Sequence, residues 1–99
     1  MTTEFKNDEK VTTDLKPPRM WKVIFLNDDV TPMDLVIDIL TRVFKHDSTS
    51  AKNITMEVHN NGSAVAGVYM YEIAEQKGLE ATSIARSNGS PLCIQVEEE

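Results

Sequence analysis

The sequence of residues 20–40, MWKVIFLNDDVTPMDLVIDIL, holds the signals that decide the fold. Residues 20–27 are rich in β-branched and aromatic side chains and end at polar residues, a pattern that predicts a buried strand. Thr31 followed by Pro32 is typical of a helix start, because threonine can cap the first turn and proline fits there without losing a hydrogen bond. Asp34 places a negative charge near the positive end of the helix dipole. The stretch therefore predicts a strand, a polar turn and a helix that begins at about Thr31.

The spacing of apolar residues extends this helix and predicts a second one. Apolar side chains recur every three or four residues as far as His46, at Met33, Val36, Ile37, Leu40, Val43 and Phe44. Asp47 or Ser48 is placed to cap a second helix, which the Asn60-Asn61-Gly62 cluster ends.

A third helix and two further strands complete the predicted order. Residues 63–70 and 91–96 are short apolar runs next to turn-forming residues, which predicts strands. A third helix is predicted over about residues 71–87, although Gly78 within it costs about 1 kcal/mol relative to alanine. The order β-α-α-β-α-β with three strands predicts a small α+β sandwich, in which one sheet carries the helices on one face.

The length of 99 residues leaves room for one domain. Residues 1–17 are polar up to the Pro17-Pro18 pair and show no repeating apolar face, so they are predicted to form a flexible N-terminal extension. Residues 18–99 then form the folded core domain.

The charge of the chain argues against two classes of partner. The chain has 10 Lys and Arg residues against 16 Asp and Glu residues, a net charge of −6, which disfavours nucleic acid and anionic membranes. Cys93 is the only cysteine, so no intramolecular disulfide can form, and no apolar run reaches the roughly 18–20 residues of a membrane span. The first 16 residues lack the apolar centre of a signal peptide. A cytoplasmic location is therefore expected.

No pattern in the chain indicates catalysis or metal binding. Asp28 and Asp29 are adjacent, so their side chains need not converge for acid–base chemistry, and no G-x-S-x-G nucleophile motif accompanies them. Two histidines and one cysteine lack the spacing of a zinc site, and no cofactor is expected. A purely structural interpretation of the turn stays open, in which Asn27 and Asp28 form an Asx turn and Asp29 caps the first helix.

His59 suggests molecular recognition as the alternative. It stands near the predicted end of the second helix, where its imidazole can meet the Asn27-Asp28 turn from the opposite wall. An amide oxygen, a carboxylate and a neutral imidazole nitrogen are all hydrogen-bond acceptors, and such a set suits a ligand with several donors and a positive charge. A protonated amine has this chemistry. A surface or core histidine without a ligand is the competing interpretation.

Three stretches of the chain resemble the ClpS family, the adaptors that deliver N-degron substrates to the ClpA-type or ClpC-type AAA+ unfoldase of the Clp protease. They are LKPPRMWKVIFLNDDVTPMDLVIDIL, EVHNNGSAVAGVYMYEIAEQK and SPLCIQVE, and the resemblance covers about residues 15–99. It implies a small α/β sandwich preceded by a flexible extension, action as a monomer, and no enzymatic activity.

The resemblance also implies roles for individual residues. Asn27, Asp28 and His59 fall on the positions that hold the α-amino group of a substrate whose first residue is Leu, Phe, Tyr or Trp. The positions of the apolar pocket for that first side chain correspond to Asp29, Thr31, Met33, Val36, Thr55, Val58 and Leu92. The positions that contact the N-terminal domain of the unfoldase correspond to Glu72, Glu75 and Lys77. On the residues alone, the core is the favoured interpretation of Met33, Val36 and Val58, and Leu92 is an ordinary strand residue. The three charged residues are then a solvated helix face.

Two residues depart from the family pattern. Thr55 occupies a position where many members carry methionine, so the pocket is expected to be wider near the β-carbon of the substrate. Met70 stands where a threonine commonly caps the third helix, so that helix is expected to begin less firmly. A rival function also stays open, namely an adaptor that docks on the unfoldase without recognising degrons.

Overall fold

A computed structural model of the protein describes residues 17–99. Its elements in chain order are β1 (Met20–Leu26), α1 (Met33–Arg42), α2 (Ser48–Asn61), β2 (Ser63–Met70), α3 (Tyr71–Ser87) and β3 (Cys93–Glu98). The predicted order β-α-α-β-α-β and the three-stranded sheet are confirmed. Residues 1–16 lie outside the described residues, so the division into an extension and a core domain stays a prediction.

β1 is the central strand of the sheet and pairs with β2 on one side and β3 on the other, both antiparallel. Val23 and Phe25 on β1 are fully buried, while Ile24 between them is only partly buried. This alternation shows that one face of the sheet packs against the core. α3 contacts all three strands, and α2 packs against β2 and α1. The helices cover one face of the sheet, as the sequence predicts.

The first helix begins later than the sequence predicts. Its first residue is Met33, and Pro32 occupies the cap position, where its side chain offers no group that could bond to the first turn. The predictions that Thr31 or Asp29 caps this helix are therefore wrong. The Thr31 hydroxyl instead donates a hydrogen bond to the Asp28 carboxylate.

The first helix also ends earlier than the sequence predicts. It stops at Arg42, because Lys45 adopts a left-handed conformation (φ 62°) and lets the His46 amide donate to the Leu40 carbonyl at 3.2 Å. This bond joins residues six apart in the chain, one more than the corresponding bond of a Schellman motif, and it closes the turn that follows the helix. Phe44 remains buried in the turn beyond the helix. The apolar pattern therefore runs past the helix, and the predicted end at His46 is wrong.

The second helix has the ends that the sequence predicts. The Asp47 carboxylate accepts a hydrogen bond from the Ser50 amide at 2.7 Å and caps the first turn. The bonds from Ser50 hold the pKa of Asp47 below its ordinary value. Gly62 closes the other end with a φ of 91°, a left-handed conformation that costs a residue with a Cβ about 1–2 kcal/mol. This end of α2 borders the candidate site described below.

Two residues of α3 and its cap determine how the helix begins and how it packs. Met70 occupies its N-terminal cap position and makes no side-chain cap hydrogen bond, and a weak start of this helix stays a prediction. Gly78 is buried inside the helix, and a Cβ built there would lie 3.2 Å from Cγ2 of Val96. The glycine therefore lets α3 approach β3 closely, which offsets its low helix propensity.

The last strand lies two residues further along the chain than predicted. It spans Cys93–Glu98 instead of residues 91–96. The Leu92 amide donates to the Ser90 hydroxyl and not to the neighbouring strand, so the residues before Cys93 form a loop. Within residues 17–99, no helix combines the length and the apolar character that a membrane crossing requires.

Candidate functional site

A cavity of about 240 Å³ opens between the β1–α1 turn, the second half of α2 and the loop before β3. Its walls are formed by Asn27, Asp28, Asp29, Thr31, Met33, Val36, Thr55, Val58, His59 and Leu92. These are the ten residues that the resemblance assigns to an amine site and an apolar pocket, so the fold brings both predicted sets together around one space. The volume lies below the roughly 300–1,000 Å³ of pockets for drug-sized ligands, so it suits a single amino-acid residue.

Backbone hydrogen bonds hold the polar turn against the end of α2. The Asn27 amide donates to the Gly62 carbonyl at 2.9 Å. The preceding residue, Leu26, pairs with Ser63 in the sheet. His59 lies on the last turn of the helix that Gly62 ends. The side chains of Asn27 and His59 are both exposed at the cavity, so their acceptor atoms are accessible to a ligand.

Asp28 is oriented by its own turn. Its Oδ1 accepts hydrogen bonds from the amides of Val30 and Thr31, each at 2.8 Å, and its Oδ2 accepts one from the Thr31 hydroxyl at 2.7 Å. The bond from the Val30 amide makes this an Asx turn formed by the Asp28 side chain. A carboxylate has about four acceptor positions, so one remains for a ligand. The structural role of Asp28 and a binding role are therefore compatible.

The surroundings of Asp28 keep its carboxyl group ionised. Burial by itself raises the pKa of Asp28, but the Thr31 hydroxyl, the amides of Val30 and Thr31 and the positive charge of Arg86 outweigh this effect and hold the pKa below its ordinary value. Asp28 therefore stays ionised at pH values at which an ordinary aspartate is already partly protonated, and it loses its charge only in stronger acid. At neutral pH the turn presents a full negative charge to the cavity.

The inner wall of the cavity is apolar. Val36, Val58 and Leu92 are 5% exposed or less and belong to the hydrophobic core as well as to the cavity wall. The core and pocket interpretations of Val36 and Val58 therefore both apply. An apolar side chain that entered the cavity would contact the same residues that the core already buries.

Three further side chains complete the wall. Met33 is 39% exposed at the mouth, where Asp29 adds a second carboxylate. Thr55 is only 3% exposed, and its hydroxyl donates to the Ala51 carbonyl at 2.8 Å. The polar atom of Thr55 is thus satisfied within α2 and adds no free donor to the pocket.

Two residues that support the site were missed by the sequence analysis. Ser90 is buried, and its hydroxyl lies 2.6 Å from the Thr31 hydroxyl. Nη1 of Arg86 donates to the carbonyls of Ser90 and Leu92, each at 2.8 Å. In the sequence, Ser90 belongs to an Asn-Gly-Ser-Pro run that indicates only a turn. Arg86 resembles any basic residue at a helix end, so no local signal distinguishes either residue.

The three residues predicted to contact an unfoldase differ in their surroundings. Glu72 and Glu75 are exposed on α3, and Glu75 accepts a hydrogen bond from the Tyr71 hydroxyl at 3.2 Å. Lys77 is partly buried, and its ammonium group donates to the Val43 carbonyl at 2.8 Å. The two glutamates therefore present a solvated face, whereas Lys77 links α3 to the end of α1.

Most of the chain is similar to a family of known proteins. A family model described as ATP-dependent Clp protease adaptor protein ClpS matches residues 16–95. The ATP-dependent Clp protease adapter proteins ClpS of Erwinia tasmaniensis and Escherichia coli O1:K1 are each 44% identical to this chain over 91 residues, which is 92% of this chain and 86% of each relative.

A solved structure agrees with these relatives. The structure of Agrobacterium tumefaciens ClpS2 bound to L-phenylalaninamide matches with a TM-score of 0.81 and 38% sequence identity, covering 84% of this chain and 100% of that chain. The shared description is of an adaptor of a protease and not of the protease itself. The chain therefore belongs to the ClpS family of adaptor proteins of the ATP-dependent Clp protease.

Proposed function

We propose that this chain is a cytoplasmic N-degron adaptor, which binds the free α-amino group and the large hydrophobic side chain of a substrate's first residue. The substrate, beginning with Leu, Phe, Tyr or Trp, is then delivered to a ClpA-type or ClpC-type unfoldase. The observation that carries the proposal is one cavity with acceptors at its mouth and an apolar interior. The similar ClpS2 of Agrobacterium tumefaciens binds L-phenylalaninamide, which has a free amine, an aromatic side chain and an amide where a peptide would continue.

The mouth of the cavity matches a protonated amine. An α-amino group has a reference pKa of about 7.7–8.0, so it is largely protonated at neutral pH and offers three donors. The Asn27 oxygen, the open acceptor position of Asp28 and the His59 imidazole supply three acceptors on this wall. The ionised Asp28 adds the opposite charge. An acetyl group or a preceding residue would remove the charge of the amine and obstruct its approach.

The interior of the cavity favours a large apolar side chain. Burying a Leu or Phe side chain is worth about 1.5–3 kcal/mol, and Val36, Val58 and Leu92 provide the apolar surface for it. A small first residue would leave much of the space unfilled. A polar first residue would lose its hydration without finding partners there. The pocket therefore selects the first side chain, while the mouth selects the free amine.

Peptides that differ only in their first residue test this proposal. We expect peptides that begin with Leu, Phe, Tyr or Trp to bind about tenfold or more tightly than a peptide that begins with Ser, because 1.4 kcal/mol corresponds to a factor of ten. Fluorescence anisotropy with labelled peptides measures these affinities. A control peptide with one Gly placed before Leu should bind no better than the Ser peptide. Equal affinities for the Leu and Ser peptides would favour an adaptor that docks on the unfoldase without recognising degrons.

Thr55 is expected to relax selectivity for the first residue. It is shorter than the methionine that many ClpS proteins carry there, so Ile and Val peptides should bind measurably, though more weakly than Leu peptides. Thr55→Met should weaken Ile and Val binding about tenfold relative to Leu, because contacts on the scale of one methylene are worth about 1–3 kcal/mol. Titrations of all three peptides measure the ratio, and the exposed Thr49→Met on the same helix is the control. An unchanged Leu-to-Ile ratio would show that Thr55 does not govern selectivity.

We also propose that the exposed face of α3 docks on the N-terminal domain of the unfoldase. Glu72 and Glu75 are exposed there, and Leu79, which is 67% exposed, lies one turn further on the same face. Acidic groups around an exposed apolar side chain support a docking role. Lys77 must release the Val43 carbonyl before its ammonium group can reach a partner, so we assign it a smaller share of the contact than the glutamates.

A further inference from the structure

The loop that carries Leu92 into the cavity is held by the end of α3. Nη1 of Arg86 donates to the carbonyls of Ser90 and Leu92 at 2.8 Å each, and the Ser90 amide donates to the Ala85 carbonyl at 2.9 Å. Leu92 is 1% exposed and lines the cavity. One guanidinium group therefore fixes both ends of the short segment that ends in the pocket wall.

Ser90 connects the same loop to the polar turn. The Thr31 hydroxyl uses its single hydrogen to donate to Asp28, so in the 2.6 Å contact between the two hydroxyls Ser90 is the donor. The Ser90 oxygen in turn accepts the Leu92 amide at 3.1 Å. The hydrogen bonds therefore run in one direction, from the Leu92 amide through two hydroxyls to the carboxylate. This direction agrees with an ionised Asp28, because an ionised carboxylate can only accept hydrogen bonds.

The charge of Arg86 acts on the same carboxylate. It contributes to lowering the pKa of Asp28, after the larger effects of burial, which acts in the opposite direction, and of the hydrogen bonds. The other ionisable groups that line the cavity are Asp29, in the same turn as Asp28, and His59 on α2. Arg86 thus supplies positive charge from α3 to the Asp28 carboxylate.

We propose that Arg86 and Ser90 are positioning residues of the degron site: Arg86 fixes the loop that carries Leu92, and Ser90 ties this loop to the Asp28 turn. The amine acceptors and the apolar wall then keep a constant separation, so that one terminal residue satisfies both at once. Neither residue lines the cavity, so neither needs to contact the peptide. If the two parts moved independently, binding would have to order them and would lose affinity. This inference rests on the proposed function, because it concerns the same peptides.

Substitutions of Arg86 test the inference. Arg86→Gln should raise the dissociation constant of a Leu peptide about tenfold, because it removes the charge and loosens the loop. Arg86→Lys keeps the positive charge but not the guanidinium geometry that reaches both carbonyls, so it should recover part of the affinity. The matched control is Arg42→Gln at the exposed end of α1, where the guanidinium pairs with Asp38 at 3.0 Å, and it should leave the affinity unchanged. Ser90→Ala should weaken binding in the same direction as Arg86→Gln.

An NMR titration of the Asp28 carboxyl group in the free protein separates positioning from a general loss of stability. The pKa of Asp28 should rise toward its ordinary value in Arg86→Gln and stay low in Arg86→Lys and Arg42→Gln.

Three outcomes of the binding and titration experiments would contradict a proposal. If Arg86→Gln and Ser90→Ala bound the Leu peptide as tightly as the wild-type protein does, this inference would be overturned and the proposed function would stay intact. Weaker binding with an unchanged Asp28 titration and no recovery in Arg86→Lys would also overturn it. Failure of the wild-type protein to bind would overturn the proposed function itself and the inference with it.

Discussion

A Leu peptide with a free N-terminus is expected to bind about 100-fold or more tightly than the same peptide with an acetylated N-terminus. Acetylation removes the positive charge and two of the three donors that Asn27, Asp28 and His59 are placed to accept. A hydrogen bond to a charged group contributes about 1.5–3 kcal/mol, so the loss of two costs about 3 kcal/mol or more. Since about 1.4 kcal/mol corresponds to tenfold in affinity, the two peptides should differ by two orders of magnitude. Competition against a labelled Leu peptide measures both affinities.

Equal affinity for the two peptides would contradict the degron hypothesis, because the large apolar side chain is the same in both. Asp28→Asn is the matched variant for this comparison, since it keeps an acceptor for the turn amides and removes the charge. The difference between free and acetylated peptides should shrink in it. Asp28→Ala is a poorer choice, because it also removes three hydrogen bonds that hold the turn.

Local sequence signals were sufficient where the physical cause lies within a few residues. Asp47 caps α2 through the amide of Ser50, three residues away, and Gly62 ends it through its own backbone conformation. The predicted limits of α1 are wrong for an equally specific reason. Thr31 has a cap residue's chemistry, but its hydroxyl is engaged by Asp28, and Phe44 remains buried after the helix has ended. Apolar periodicity reports burial, which is not the same as helical conformation.

The cavity depends on information that local patterns do not contain. Val36 and Val58 are apolar in a pocket wall and in a filled core alike, and only the packing opposite them decides which space they border. The ten predicted residues were assigned through the resemblance to ClpS proteins, and the structure brings all ten around one cavity. Their roles in binding stay predictions until peptides are titrated.

The supporting contacts of Ser90 and Arg86 were beyond sequence analysis for a related reason. The hydroxyls of Ser90 and Thr31 meet across a separation of 59 residues in the chain. No periodicity or turn signal encodes a contact at such a distance. Arg86 acts through carbonyl groups, which every residue has, so its partners cannot be recognised by residue type.

Leu40→Ala and His59→Ala should separate folding from binding. Leu40 is fully buried in α1, and loss of a buried leucine side chain typically lowers the free energy of unfolding by about 2–5 kcal/mol. For a domain of this size, the melting temperature should fall by about 8 °C or more. Leu40 does not line the cavity, so this variant should keep its affinity for a Leu peptide when it is assayed well below its melting temperature.

His59→Ala should show the opposite result. Its side chain is exposed at the cavity, so the free energy of unfolding should change by no more than about 0.5 kcal/mol. The Leu peptide should nevertheless bind about tenfold more weakly, because the variant loses one acceptor for the protonated amine. Thermal unfolding and peptide titration of both variants measure the two effects independently. If His59→Ala lowered the melting temperature as Leu40→Ala does and bound the peptide normally when folded, His59 would be a structural residue, and Asn27 and Asp28 would have to hold the amine without it.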